Sequence, residues 1–151
     1  MVGKLLISHP SLLGDPSFGR SVILLVEHND QNSLGFVVNQ PTNYSLNELI
    51  PELNIALPIY RGGPVDNDRL FYVHTLKDLP NSQAIENKIF WGGELEALQN
   101  QIIEKKIAPD KMRFFLGYSG WGQGQLLNEC NKKSWLLIKN NYNNNVNEDQ
   151  T

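Results

Sequence analysis

Apolar residues in this chain come in short, nearly unbroken runs separated by polar turns. The first three runs are residues 4–8 (KLLIS), 20–27 (RSVILLVE) and 34–38 (LGFVV). They are bounded by His9-Pro10, Gly14-Asp15-Pro16 and Asn39-Gln40-Pro41, which favour turns over continued strand. Runs that are continuous rather than alternating predict strands buried on both faces. The polar segment HNDQNS between the second and third runs predicts an antiparallel hairpin.

Helical spacing takes over next. Ser45-Leu46-Asn47-Glu48 has the form of a capping box, in which Ser45 serves the N3 amide and Glu48 reaches back. Leu46, Leu49, Ile50 and Leu53 then share a helical face, and Pro51 keeps that helix short or distorted. Residues 58–61 lead into a tight turn at Gly62-Gly63-Pro64, and residues 69–75 (RLFYVHT) predict another strand. Residues 76–88 are polar and irregular, followed by a short strand at Ile89-Phe90-Trp91. The clearest helix spans 94–106: Glu94 and Glu96 open it, Lys105 and Lys106 close it, and Leu95, Leu98 and Ile102 form its apolar stripe. A strand over 112–118 (MRFFLGY) runs into the glycine-rich stretch GYSGWGQGQL, a two-turn helix follows at 124–131, and a last strand lies at 134–139.

Elements alternating in this irregular order predict one mixed α+β domain over residues 1–139. The asparagine-rich tail, residues 140–151, cannot bury enough apolar surface to offset its ordering entropy and is expected to be disordered.

Composition narrows the function classes. The chain has 151 residues, 40% hydrophobic and 19% charged, as expected of a globular domain. A net charge of −3 supplies no global field for nucleic acid, and Lys105-Lys106 and Lys132-Lys133 are only pairs. The one cysteine, Cys130, excludes an internal disulfide and any multi-cysteine zinc site, and suggests a reducing, cytoplasmic setting. The apolar run Val22 to Val26 is too short to span a bilayer, so no membrane association is expected.

The stretch GYSGWGQGQL invites comparison with the glycine loops of enzymes, and misses each at a nameable residue. A nucleophile elbow around Ser119 would place glycine where Trp121 stands. A phosphate loop would need lysine in place of Gln123, and a dinucleotide turn would need glycine or alanine at Leu127 or Gln125. What remains is a strand-to-helix corner with free backbone amides. His9, His28 and His74 are scattered without ligand spacing, so no metal or cofactor is expected. Cys130, beside Leu126 and Leu127, reads as a small packing residue.

Taken together and in order, several stretches resemble the YqgE/AlgH family of bacterial proteins across residues 3 to about 138. They are LLIS-HP with Asp15-Pro16-Ser17-Phe18, GFVVNQP from Gly35, Gly62-Gly63-Pro64-Val65 with Arg69 and His74, and the Gly117 stretch continuing through Leu126, Glu129 and Trp135. The resemblance implies an α+β fold with a bent, bifurcated mixed or antiparallel sheet forming a pseudo-barrel flanked by helices. It implies a cytosolic protein with no established catalytic activity. Some relatives carry a transcriptional-regulator label, but no helix-turn-helix is legible here, which argues against direct DNA reading. Relatives typically continue past Trp135, so an open sheet edge is expected near residues 134–139.

The leading expectation is a non-enzymatic binding or regulatory domain for a protein or small-molecule partner. Its surface would be built from Gly62, Gly63 and Pro64 and from Tyr118, Trp121, Gly122 and Gln125, with Phe18 and His74 contributing. One alternative is an enzyme acting on a small anionic substrate at the Gly117–Gln125 loop, with His74 or Glu129 as acid/base. The other is a scaffold or oligomer joined through an edge strand.

Overall fold

The computed structural model describes residues 2–8, 21–86, 88–132 and 135–138. The chain runs β1 (Leu5–Ser8), β2 (Val22–His28), β3 (Ser33–Val37), β4 (Pro41–Ser45), α1 (Leu46–Leu49), β5 (Pro58–Arg61), β6 (Val65–His74), β7 (Ser82–Glu86), β8 (Ile89–Gly92), α2 (Leu95–Ile103), β9 (Met112–Trp121), α3 (Gln125–Asn131) and β10 (Trp135–Ile138). Among the described residues ten strands join in one mostly antiparallel sheet whose main path is β10-β1-β2-β3-β9-β6-β8-β7, curled into a half-barrel. The expected α+β fold with a bent, bifurcated sheet is what the chain adopts.

The bifurcation has a definite location. β9 is the spine, and β6 runs antiparallel along one of its edges, from Val65 opposite Tyr118 to His74 opposite Met112. Its other edge is shared. β5 lies parallel to its first half, with Ile59, Tyr60 and Arg61 opposite Phe114, Phe115 and Leu116. β3 lies antiparallel to its end, with Gly35, Leu34 and Ser33 opposite Ser119, Gly120 and Trp121. At the fork between β5 and β3, Gly62 donates its amide to Leu116 (2.8 Å) while its carbonyl accepts from the Val37 amide (2.9 Å). Instead of the tight turn expected at Gly62-Gly63-Pro64, the chain crosses β9 there.

The continuous apolar runs are explained by burial on two sides. On β2, Leu24 and Val26 pack with Phe36, Val73 and Phe115, whereas Ile23 and Leu25 face the other way with Leu6, Val37, Trp121 and Trp135. β9 is divided likewise: Phe115 stacks on Phe36 with centroids 4.8 Å apart, and its neighbour Phe114 joins Leu98 and Ile102 of α2. Side chains alternate along a strand, so neighbouring apolar residues are both buried only where both faces are covered.

The helices follow local chemistry. At α1 the Ser45 amide donates to the Glu48 carboxylate at 2.8 Å, completing the capping box, and Pro51 starts a separate 3-10 turn over Pro51–Leu53. α2 buries Leu98 and Ile102 but ends at Ile103, three residues earlier than the sequence suggests, with Lys105 in a left-handed conformation (φ 57°).

Two strands depart from expectation. β4 (PTNYS) has no buried residue and β7 (SQAIE) buries only Ile85, so neither carries an apolar pattern. β9 also continues through Gly120 and Trp121, so the corner starts three residues later than expected. At the opposite end of the path β10 pairs with β1, and among the described residues it forms the sheet edge, with Leu136 and Leu137 45% and 39% exposed. The tail from Asn140 lies outside the described residues.

Candidate functional site

The two glycine stretches singled out in the sequence do meet, but they meet each other. Gly62 and Gly63 lie against Gly117, Tyr118 and Ser119 with backbone on backbone. A Cβ on Gly62 would enter the carbonyl oxygen of Gly117, and one on Gly63 would enter the Tyr118 peptide. Gly117 takes a left-handed conformation (φ 77°), which glycine adopts without penalty. Close approach is thus the reason for these glycines, and the group approached is another strand. The Ser119 hydroxyl, fully buried, donates to the Gly62 carbonyl at 3.1 Å and ties the crossing together.

Beyond this crossing the chain turns into α3, and the polar side chains here are mutually occupied. Trp121 is 4% exposed and Trp135 3%, with their rings edge to face at 6.0 Å. Both indole N–H groups donate to the same oxygen of Glu129, Oε1, at 3.1 and 3.0 Å. The Gln125 amide donates to Oε2 of that carboxylate at 2.9 Å, and its own oxygen accepts from the Gly122 amide at 2.9 Å. One carboxylate therefore joins the end of β9, α3 and β10. Burial raises the pKa of the Cys130 thiol, and the charge of Glu129 raises it further, which lowers its thiolate content at neutral pH.

His74 lies at the far end of the spine. It pairs with Met112 while Trp121 ends β9, roughly 30 Å away at about 3.3 Å per residue. The ring is fully buried. Nε2 lies 2.8 Å from the Gly92 carbonyl, which can only accept, and Nδ1 accepts from the Leu76 amide at 3.1 Å. These two partners fix the neutral tautomer with the proton on Nε2. Burial pushes the pKa below the ordinary histidine value, and the Gly92 carbonyl opposes this in part. Nearby, the Tyr72 hydroxyl donates to Gly93 at 2.6 Å, and burial raises its pKa.

Of the remaining expected site residues, Tyr118 is half-buried, edge to face with Phe71 at 5.5 Å, and Pro64 and Gly122 are exposed. Phe18 lies outside the described residues. The structure brings Gly62, Gly63, Tyr118 and Trp121 into one region and leaves His74 apart.

Next to the corner is a cleft of about 320 Å³. One wall is the β2–β3 turn, contributing His28, Asn29, Asp30 and Ser33, and the other is Gln123, Gly124, Leu126 and Leu127. The turn is well tied: Asn29 Oδ1 accepts from the amides of Gln31 and Asn32, and His28 Nδ1 and the Ser33 hydroxyl are 2.6 Å apart. Leu126 is buried in the floor, and Leu127 is half-exposed beside it. HNDQNS reads from sequence only as a polar turn. Nothing local indicates that residues 28–33 face residues 123–127, because β3–β9 pairing across the sheet creates that proximity. Among the described residues no three His, Cys, Asp or Glu side chains cluster as a metal site would require, and no helix is long and apolar enough to cross a membrane.

The buried neutral His74 has a consequence for stability. The unfolded chain takes up a proton on this histidine near its ordinary pKa of about 6.5, whereas the folded imidazole resists it. A depressed folded-state value gives a contribution present above about pH 6.5 and lost as pH falls toward the folded pKa. Thermal unfolding between pH 7.5 and 5 should show Tm falling with acidification, and His74→Gln should flatten that slope. An unchanged slope would rule out His74 as its source.

Comparison with known proteins agrees with this architecture. A family model described as AlgH-like matches residues 5–151. A UPF0301 protein of Bacteroides fragilis is 40% identical over 149 residues, covering 97% of this chain and 76% of the relative. One from Cytophaga hutchinsonii is 44% identical over 138 residues, covering 89% and 75%. Among solved structures, the AlgH protein from Pseudomonas aeruginosa superposes with a TM-score of 0.74 at 32% identity, covering 92% of this chain and 77% of that one. A Corynebacterium diphtheriae protein superposes at 0.77 with 26% identity, covering 91% and 75%. The chain belongs to the AlgH-like family.

Proposed function

We propose that this protein is a non-enzymatic cytoplasmic binding domain whose recognition site is the cleft between the β2–β3 turn and the β9–α3 corner. The observation that carries the reading is the composition of that cleft. An apolar floor of Leu126 and half-exposed Leu127 lies between Gln123 of the corner and His28 and Asp30 of the opposite turn, whose backbone is held by Asn29. Apolar floors with a few oriented polar groups are the usual form of ligand sites. The acid/base and nucleophile candidates considered from the sequence are engaged elsewhere: both His74 nitrogens on backbone, Glu129 on two indoles, and Ser119 on Gly62. The lone cysteine fits a reducing compartment.

The partner chemistry suited to this cleft is an apolar side chain next to a cationic group, since Asp30 is the carboxylate at its rim. Immobilised protein should retain such a partner from cell extract. A variant carrying Asp30→Lys and Leu127→Asp, both at exposed positions, should fold normally and lose it. Retention of the same species by both proteins would overturn the assignment to this cleft.

A second reading, association through the sheet edge, draws support from half-exposed Leu136 and Leu137 on β10. It predicts a mass above that of one chain by light scattering at high concentration, reduced by Leu136→Lys. A strictly monomeric particle would contradict it.

A further inference from the structure

A second cleft, of about 380 Å³, lies between α2 and the loop that follows β6. It is separate from the recognition site proposed above. Its apolar surface comes from Leu76, Leu79 and Ala97, and its polar groups are Thr75, Gln101, Lys77 and Lys106, with Asp78 the single carboxylate. The volume falls in the range of small-molecule sites, roughly 300–1,000 Å³.

Three features make this more than a surface depression. First, its walls are held in place. Leu79 is buried in the α2 core cluster, the Leu76 amide is fixed by His74, and the Glu94 amide at the start of α2 donates to the Pro80 carbonyl at 2.8 Å. The Leu79 carbonyl accepts from both the amide (3.3 Å) and the hydroxyl (2.9 Å) of Ser82. A wall fixed in advance loses little entropy on binding. Second, Ala97 and Gln101 are one helical turn apart on α2, so a small apolar surface and an amide sit side by side on one face. Third, the lining includes two exposed cationic side chains, Lys77 and Lys106. Among the lining residues these two lysines stand with one carboxylate, Asp78, and a second carboxylate, Glu104, lies beside Lys106. Lys106 pairs with Glu104 at 3.0 Å, but both side chains are more than half exposed, and such pairs exchange readily for another anion.

We infer that this cleft binds an amphipathic carboxylate, its hydrocarbon lying on Leu76, Leu79 and Ala97 and its head group meeting Lys77 and Lys106. Thr75 and Gln101 supply hydrogen-bond donors to the carboxylate oxygens. A volume near the lower end of the usual ligand-site range favours a small acid with a short tail. Two separate lysines without a ring of backbone amides suit a single carboxylate better than a polyphosphate.

Titration of the ¹⁵N-labelled chain with octanoate tests this by amide chemical shifts. Saturable shifts are expected at residues 75–79 and 97–101. Octan-1-ol, with the same tail and no charge, should bind at least tenfold more weakly. Lys77→Gln combined with Lys106→Gln, both at exposed positions, should weaken octanoate at least tenfold without altering the fold. The inference fails if shifts do not saturate, if they map elsewhere, if octanol matches octanoate, or if the double variant binds undiminished.

Discussion

Where the sheet divides, Gly62 and Gly63 cross Gly117 and Tyr118 so closely that a Cβ on Gly62, Gly63 or Gly117 would overlap the opposing backbone. β9 can carry β5 on the first half of one edge and β3 on the second only because the chain leaving β5 passes over the spine at that point. The Gly62 carbonyl then receives both the Val37 amide and the Ser119 hydroxyl, so the two branches and the spine share one acceptor. Phe36 and Phe115 stack next to this crossing and fill the angle between the branches. A bulkier residue at the fork would separate β3 from β9, and the cleft between the β2–β3 turn and the corner depends on that pairing.

This changes how the glycine-rich stretch is understood chemically. Gly117, Ser119 and Trp121 resemble catalytic parts, yet each has a structural partner: Gly117 the opposing backbone, Ser119 the Gly62 carbonyl, Trp121 the Glu129 carboxylate. Glu129 serves two buried indoles at once, and leaving either unpaired would cost on the order of 1–3 kcal/mol. The cleft proposed as the recognition site takes its corner residues from Gln123 onward, after this cluster. Packing on the inner side of the corner holds in place the residues that line the cleft on its outer side.

Much of the fold could be read from local pattern. The unbroken run VILLV on β2 correctly indicated two covered faces, and Ser45 to Glu48 correctly indicated a capping box, because each depends on neighbours in sequence. β4 and β7 gave no such indication, since they lie away from the sheet centre and bury almost nothing. Glycines were read as ending β9, although Gly120 remains paired with Leu34 and the strand reaches Trp121. The parallel β5–β9 pairing and both clefts join residues far apart in the chain. Periodicity carries no information about such contacts. The resemblance to the AlgH-like family supplied the bifurcated sheet, and the crossing of Gly62 over Gly117 supplies its physical reason.

Equilibrium urea unfolding of Gly62→Ala tests this most directly, because Gly62 does not need a left-handed conformation and the added methyl acts by steric contact alone. The account predicts a loss of about 3 kcal/mol or more, or failure to fold. Gly122→Ala, whose Cβ would meet nothing closer than the Gln125 oxygen at 3.9 Å, should stay within about 1 kcal/mol of the parent. A Gly62→Ala protein as stable as the parent would contradict the claim that the fork depends on this backbone approach.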